Sequence, residues 1–97
     1  MTMHDAHYIA LIHKDADSGY GVSFPDVAGV IAVADTLDEA IAEAAAALAF
    51  AFEDWSGPLP VARSLETLRG DAQFQAMAED AVIAAVRPSR EYYHAAE

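Results

Sequence analysis

Apolar residues alternate with small or polar ones along two early stretches of the chain. Tyr8, Ala10 and Ile12 alternate with Ile9, Leu11 and His13; Tyr20, Val22 and Phe24 alternate with Gly21, Ser23 and Pro25. A period of two is the mark of β-strands. The first stretch carries apolar groups on both faces, which predicts a central strand. Lys14 to Gly19 is a polar turn whose Asp, Ser and Gly content suits a hairpin. Pro25-Asp26 and Gly29 interrupt the second run, since proline fixes φ and lacks a donor while glycine tolerates turn geometry. Val30 to Ala34 then resumes as a short third strand. With connections this short, an antiparallel meander is the economical topology.

The period changes after Ala34. Thr36 stands three residues before Glu39, an S/T-x-x-E capping box ahead of a run with helical spacing. Leu37, Ile41, Ala44, Ala45, Leu48 and Phe52 fall on one face, which predicts a helix over 37–52. Asp38 and Glu39 occupy its first turn, where the helix dipole favours negative charge. Its alanines have high helix propensity and let it lie close to a sheet. Phe50 and Trp55 fall off the stripe, either as a second core contact or as an apolar patch for another chain.

Ser56 to Pro60 ends the helix. Ser64 to Thr67 starts a shorter helical piece, Gly70-Asp71 breaks it, and residues 72–80 form further turns. The apolar run Ala81 to Val86 has strand length; its alanines favour helix, whereas Val82, Ile83 and Val86 favour strand. The expectation is a fourth strand beside the first. Ser89 to Glu97 reads as a polar tail that frays unless Tyr92 and Tyr93 dock.

A length of 97 residues suits one domain, with its core over about 7–86 and a tail over 87–97. There is no cysteine, which removes disulfides, thiolate metal sites and a thiol nucleophile. The N-terminus lacks the basic and apolar regions of a secretory signal, and the longest apolar run, Ala44 to Phe52, is too short to span a bilayer. A soluble cytoplasmic protein is expected. Charge adds more: five Lys and Arg face sixteen Asp and Glu, a net charge of −11. Such an acidic chain lacks the clustered cations that phosphate contacts need, which disfavours direct nucleic-acid binding. Its field either serves solubility alone or attracts a basic partner.

Catalytic chemistry finds little support. Of the four histidines, His4, His7, His13 and His94, the first two have metal-like spacing, but they lie in a terminal segment with only Asp5 as a further ligand and fall short of a closed set. A sheet-plus-helix chain rich in carboxylates invites comparison with RNase H-type nucleases. Two-metal chemistry needs convergent acids, and only Asp15 and Glu43 suggest themselves. No G-x-S-x-G or phosphate loop is present, since Gly19-x-Gly21 enters a strand and not a helix. Protein contact is left: Tyr20, Phe24 and Pro25 near a strand, with Asp26, Asp35, Asp38 and Glu39 in the surrounding loops. An acidic rim around aromatic groups suits a basic partner; the plainer reading makes the aromatics core and the acids caps and turns.

The stretch GYGVSFPDVAGVIAVADTLDEAIAEAAAAL resembles the N-terminal domain of HicB antitoxins. The matching positions are Tyr20, Phe24-Pro25-Asp26, Gly29, Asp35-Thr36 and Glu39-Ala40. The chain departs from the family pattern with Ala28 and Ala34 in place of proline and glycine, and with Val30 after the loop glycine. The resemblance implies an α+β, degenerate RNase H-like fold: a three-stranded antiparallel meander, a helix, a short helix and a fourth strand. It also implies an antitoxin that binds and neutralises a small basic HicA toxin, an mRNA-cleaving ribonuclease with a catalytic histidine.

On this reading the protein is not an enzyme and needs no cofactor or metal. Tyr20, Asp26, Asp35, Asp38 and Glu39 are the expected partner contacts, and Phe50 and Trp55 the expected contacts of a homodimer or tetramer. Many HicB antitoxins carry a C-terminal DNA-binding module; only about ten residues follow the last strand here, so direct operator binding is not expected. The alternatives are a metal-dependent RNase H-like nuclease and an orphan oligomerisation or ligand-binding module.

Overall fold

Seven elements follow one another in a computed structural model that describes residues 6–15 and 19–89. They are β1 (Tyr8–Lys14), β2 (Tyr20–Ser23), β3 (Ile31–Ala34), α1 (Leu37–Glu53), α2 (Leu65–Arg69), α3 (Ala72–Met77) and β4 (Val82–Val86). The sheet order is β3-β2-β1-β4, with every neighbouring pair antiparallel. The meander, the central first strand and the fourth strand beside it all match the expectation. Residues 82–86 resolve as strand because β4 completes the free side of β1, from Tyr8↔Val86 to Ile12↔Val82, while the Ala81 N–H turns back to the Ala78 carbonyl at 3.1 Å. His4, His94, the turn residues 16–18 and the tail from 90 onward lie outside the described residues.

The differences have local causes. β3 begins at Ile31 and not Val30, because the Val30 N–H turns back to the Val27 carbonyl at 3.4 Å. β2 ends at Ser23, and Phe24 leaves the ladder to accept a turn bond from the Val27 N–H at 3.2 Å. The break expected at Gly70-Asp71 is present, and the turns after it form a separate helix, α3, since Gly70 stops α2 and Asp71 starts α3. Asp71 caps α3 by accepting from the Gln73 N–H at 2.9 Å, and Ser64 caps α2 by accepting from the Thr67 N–H at 3.1 Å. The tail departs from expectation at its first residue: Ser89 does not fray, because its N–H donates to the Ala45 carbonyl at 3.0 Å and folds the chain after β4 onto α1.

Both faces of β1 are buried, each by a different layer. Tyr8, Ala10 and Ile12 pack with Val22, Phe24, Val27 and Val86 against Ala40, Ala44, Leu48 and Phe52 of α1. Ile9 and Leu11 pack on the opposite face against Leu68 of α2 and Phe74 of α3. Burying a side chain of leucine size contributes about 2 kcal/mol, so each short helix is held chiefly by its one buried large apolar residue, Leu68 in α2 and Phe74 in α3. Among the described residues, the second layer covers β1 and β4 only. On the same face, β2 and β3 carry Gly21, Ser23, Ile31 and Val33 with no helix above them, and Ile31 and Val33 remain 70% and 74% exposed.

α1 opens as the capping box predicts, with Thr36 Oγ1 accepting from the Glu39 N–H at 3.1 Å. Its entry is tight. A Cβ on Gly19 would stand 2.1 Å from the Ala34 carbonyl oxygen and 3.1 Å from the Asp35 Cα, so only glycine lets the first hairpin lie against the end of β3.

Candidate functional site

That close approach shapes an open cleft of about 500 Å³ at one end of the sheet. Asp15 enters from the end of β1, Tyr20 from β2, Asp35 from the turn after β3, and Glu39 and Glu43 from α1. Glu39 and Glu43 are four apart on the helix and therefore point the same way. Gly19 and Gly21 bring bare backbone to the lining. The Lys14 ammonium lies 5.7 Å from the Tyr20 ring centroid, a cation–π contact beside the cleft. Carboxylates from three separate elements thus converge on one concave surface of a chain with net charge −11.

Among the expected partner contacts, Tyr20, Asp35 and Glu39 come together here. Asp38 lies next to them on the exposed first turn of α1 but outside the lining. Asp26 does not belong to the cluster. Its side chain is only 7% exposed and meets Arg63 Nε at 2.6 Å through Oδ1, while Oδ2 accepts the Arg63 N–H at 2.8 Å. Arg63 also reaches Asp71 at 3.5 Å. Asp26 therefore ties the β2–β3 loop to the segment before α2.

The same segment is held again nearby, where the Tyr8 hydroxyl donates to the Pro60 carbonyl at 2.7 Å. Burial, and secondarily the Asp26 charge, push the Tyr8 hydroxyl above the ordinary tyrosine range. The hydrogen bond to Asp26 raises the already high pKa of Arg63.

The remaining candidates have structural settings. His13 Nε2 lies 2.9 Å from the Met77 carbonyl, which can only accept, so that nitrogen donates and fastens β1 to the end of α3. Phe50 and Trp55 are each 37% exposed. Trp55 packs edge-on against Phe52 at 5.6 Å and donates its indole N–H to the Pro58 carbonyl at 3.1 Å. Asp15 and Glu43, read from sequence only as nuclease candidates, line the same cleft as Asp35 and Glu39. No group of three or more His, Asp or Glu able to hold a metal ion occurs among the described residues. Nor is any helix among them long and apolar enough to cross a membrane.

With this geometry in view, the relatives of the chain are informative. A family model described as the HicB_like antitoxin of bacterial toxin–antitoxin systems matches residues 8–91. The crystal structure of the Burkholderia pseudomallei antitoxin HicB is similar with a TM-score of 0.66 and 27% identity, over 82% of this chain and 61% of that one. The chain thus spans about three-fifths of that relative's length. The crystal structure of the N-terminal domain of the same antitoxin is similar with a TM-score of 0.64 and 24% identity, over 86% of this chain and 98% of that domain. The antitoxin HicB3 shares the fold with a TM-score of 0.60 and 21% identity, over 90% of this chain and 65% of its own. No curated protein sequence matches. The family match covers most of the chain, both layers of the sheet included, and the chain belongs to the HicB-like antitoxin family of bacterial toxin–antitoxin systems.

Proposed function

We propose that this protein neutralises a small basic, mRNA-cleaving toxin of the HicA type by direct contact in the cytoplasm, as a homo-oligomer without enzymatic activity of its own. The observation that carries the reading is the cleft. Asp15, Asp35, Glu39 and Glu43 line one concave surface beside Tyr20 in a HicB-like chain of net charge −11. Clustered negative charge attracts a basic protein over long range and orients its approach, which raises the association rate more than the final affinity. Tyr20 offers a rigid aromatic surface beside those charges, the side-chain type that anchors interfaces. Asp38 adds charge just outside the rim, whereas Asp26 serves the fold.

Co-expression with a HicA-type toxin tests this directly. Cells arrested by the toxin should resume growth and keep their mRNA intact when this protein is produced. Continued arrest at equal protein levels would contradict the reading.

A metal-dependent nuclease has one observation in its favour, the shared cleft of Asp15 and Glu43. Against it stands the lack, among the described residues, of a third acid or histidine close enough to complete a metal site. RNA cleavage dependent on Mg²⁺ or Mn²⁺ and abolished by Glu43→Gln would establish it.

A further inference from the structure

The outer edge of β3 presents a self-complementary surface. Among the described residues β3 is the last strand of the sheet and pairs on one side only, with β2. Which of its backbone groups face outward follows from the register. The Asp15 N–H donates to the Gly19 carbonyl at 2.8 Å, and the β1–β2 register continues from that pair through His13↔Gly21 and Leu11↔Ser23. Hydrogen-bonded and non-bonded pairs alternate along an antiparallel ladder. Gly21 and Ser23 therefore turn their N–H and C=O groups toward β1, while Tyr20 and Val22 turn theirs toward Ala34 and Ala32 of β3. The N–H and C=O groups of Ile31 and Val33 are left pointing out of the sheet. Their side chains, 70% and 74% exposed, stand on the face that α2 and α3 leave open.

We infer that β3 pairs antiparallel with β3 of a second copy of this chain, about a two-fold axis at Ala32. In that register Ile31 of each copy lies opposite Val33 of the other, and each such pair exchanges both of its N–H···O=C bonds. Directly opposite residues share a face, so the exposed Ile31 and Val33 side chains of both copies form one aliphatic strip. The strip borders the shallow groove lined by His13, Gly21 and Ser23. A shift of the axis by one residue pairs Ile31 with Asp35, or in the other direction Val33 with Gly29, and loses the match.

Charge favours a second copy at this edge despite the acidity of the chain. No charged residue occurs from Val27 to Ala34. In the inferred register Asp35 falls opposite Gly29, a residue with φ +90° and no side chain, and not opposite another acid. Edge strands are ordinarily protected from such pairing by charge or proline. β4, the other edge, is flanked by charge on both sides, with Glu79-Asp80 before it and Arg87-Pro88 after it, whereas β3 is flanked on one side only, by Asp35. A short strip buries far less than the roughly 1,600 Å² of a standard interface, so the dimer should form reversibly with a concentration-dependent equilibrium. The inference does not depend on the toxin reading, and its test needs no toxin.

The test is sedimentation of the full chain from about 1 µM to about 1 mM, a range that captures millimolar to micromolar affinities. The wild type should pass from monomer to dimer, and Val33→Asp should weaken dimerisation at least about tenfold with an unchanged circular dichroism spectrum. Because the natural chain has no cysteine, Ala32→Cys provides a register test: mild oxidation should join two copies through the residue on the axis. Should that variant misfold, slowed hydrogen exchange at the Ile31 and Val33 amides of the wild-type dimer provides the same information. A monomer across the whole range overturns the inference. So does a dimer that survives Val33→Asp and is lost in Trp55→Ala, or protection of those amides that arises only when a toxin is added.

Discussion

Asp26 and Arg63 are 37 residues apart in sequence and joined twice, side chain to side chain at 2.6 Å and backbone N–H to carboxylate at 2.8 Å. One carboxylate thereby fixes both the position of the Arg63 backbone and the direction of its guanidinium. The contact locks the loop after β2 to the entry of α2, and with it the second layer of the core.

Asp26→Ala should therefore destabilise the fold by about 1–2 kcal/mol, the scale of lost charge-assisted hydrogen bonds reduced for a partner that water still reaches. Urea denaturation read by circular dichroism gives the value. Toxin binding measured well below the midpoint should be unchanged, because Asp26 lies outside the acidic cleft. A stable variant that has lost its partner would reverse this assignment.

Tyr8 predicts an alkaline limit to stability. Its hydroxyl is held in the protonated form, so the folded state binds that proton more tightly than the unfolded state does. The contribution is complete below the ordinary tyrosine value of about 10 and falls as pH rises toward the higher folded value. Tyr8→Phe should cost about 1 kcal/mol at neutral pH, through the lost bond to Pro60, and should flatten the decline above about pH 10. Urea midpoints of both proteins across that range check the sign.

Gly19 and Gly21 flank the same tyrosine and should respond oppositely to an added methyl group. Gly19→Ala places a Cβ 2.1 Å from a backbone oxygen, so strand or turn must move, at a cost of about 1–3 kcal/mol. Gly21→Ala meets nothing within 4 Å and removes glycine's excess freedom from a strand, which should leave stability unchanged or raise it by up to about 1 kcal/mol. Thermal melts of the two variants side by side decide it.

Local patterns made most of the fold legible. Alternation marked β1 and β2, Thr36 and Glu39 marked the start of α1, and Gly70-Asp71 marked the break between the short helices. The patterns failed where a partner is remote. Asp26 looks like one more loop acid because nothing near it in sequence announces Arg63. The cleft was half visible: Tyr20, Asp35 and Glu39 fall within one stretch, but Asp15 and Glu43 join them only once the hairpin folds against the end of β3. The exposed aliphatics of β3 were hidden differently. Val33 and Ile31 look like ordinary core strand residues, and only the incomplete second layer leaves them in solvent.

The central claim is that the acidic cleft receives a basic toxin, and the most direct measurement is the affinity of this protein for a HicA-type toxin across a salt series. The wild type should bind with an affinity that falls as salt rises. Asp35→Lys combined with Glu39→Lys should weaken binding at least about tenfold, or about 1.4 kcal/mol, and flatten the salt dependence while the fold stays intact. Equal affinity and equal salt dependence for wild type and variant would contradict the account and move the contact to another face of the molecule.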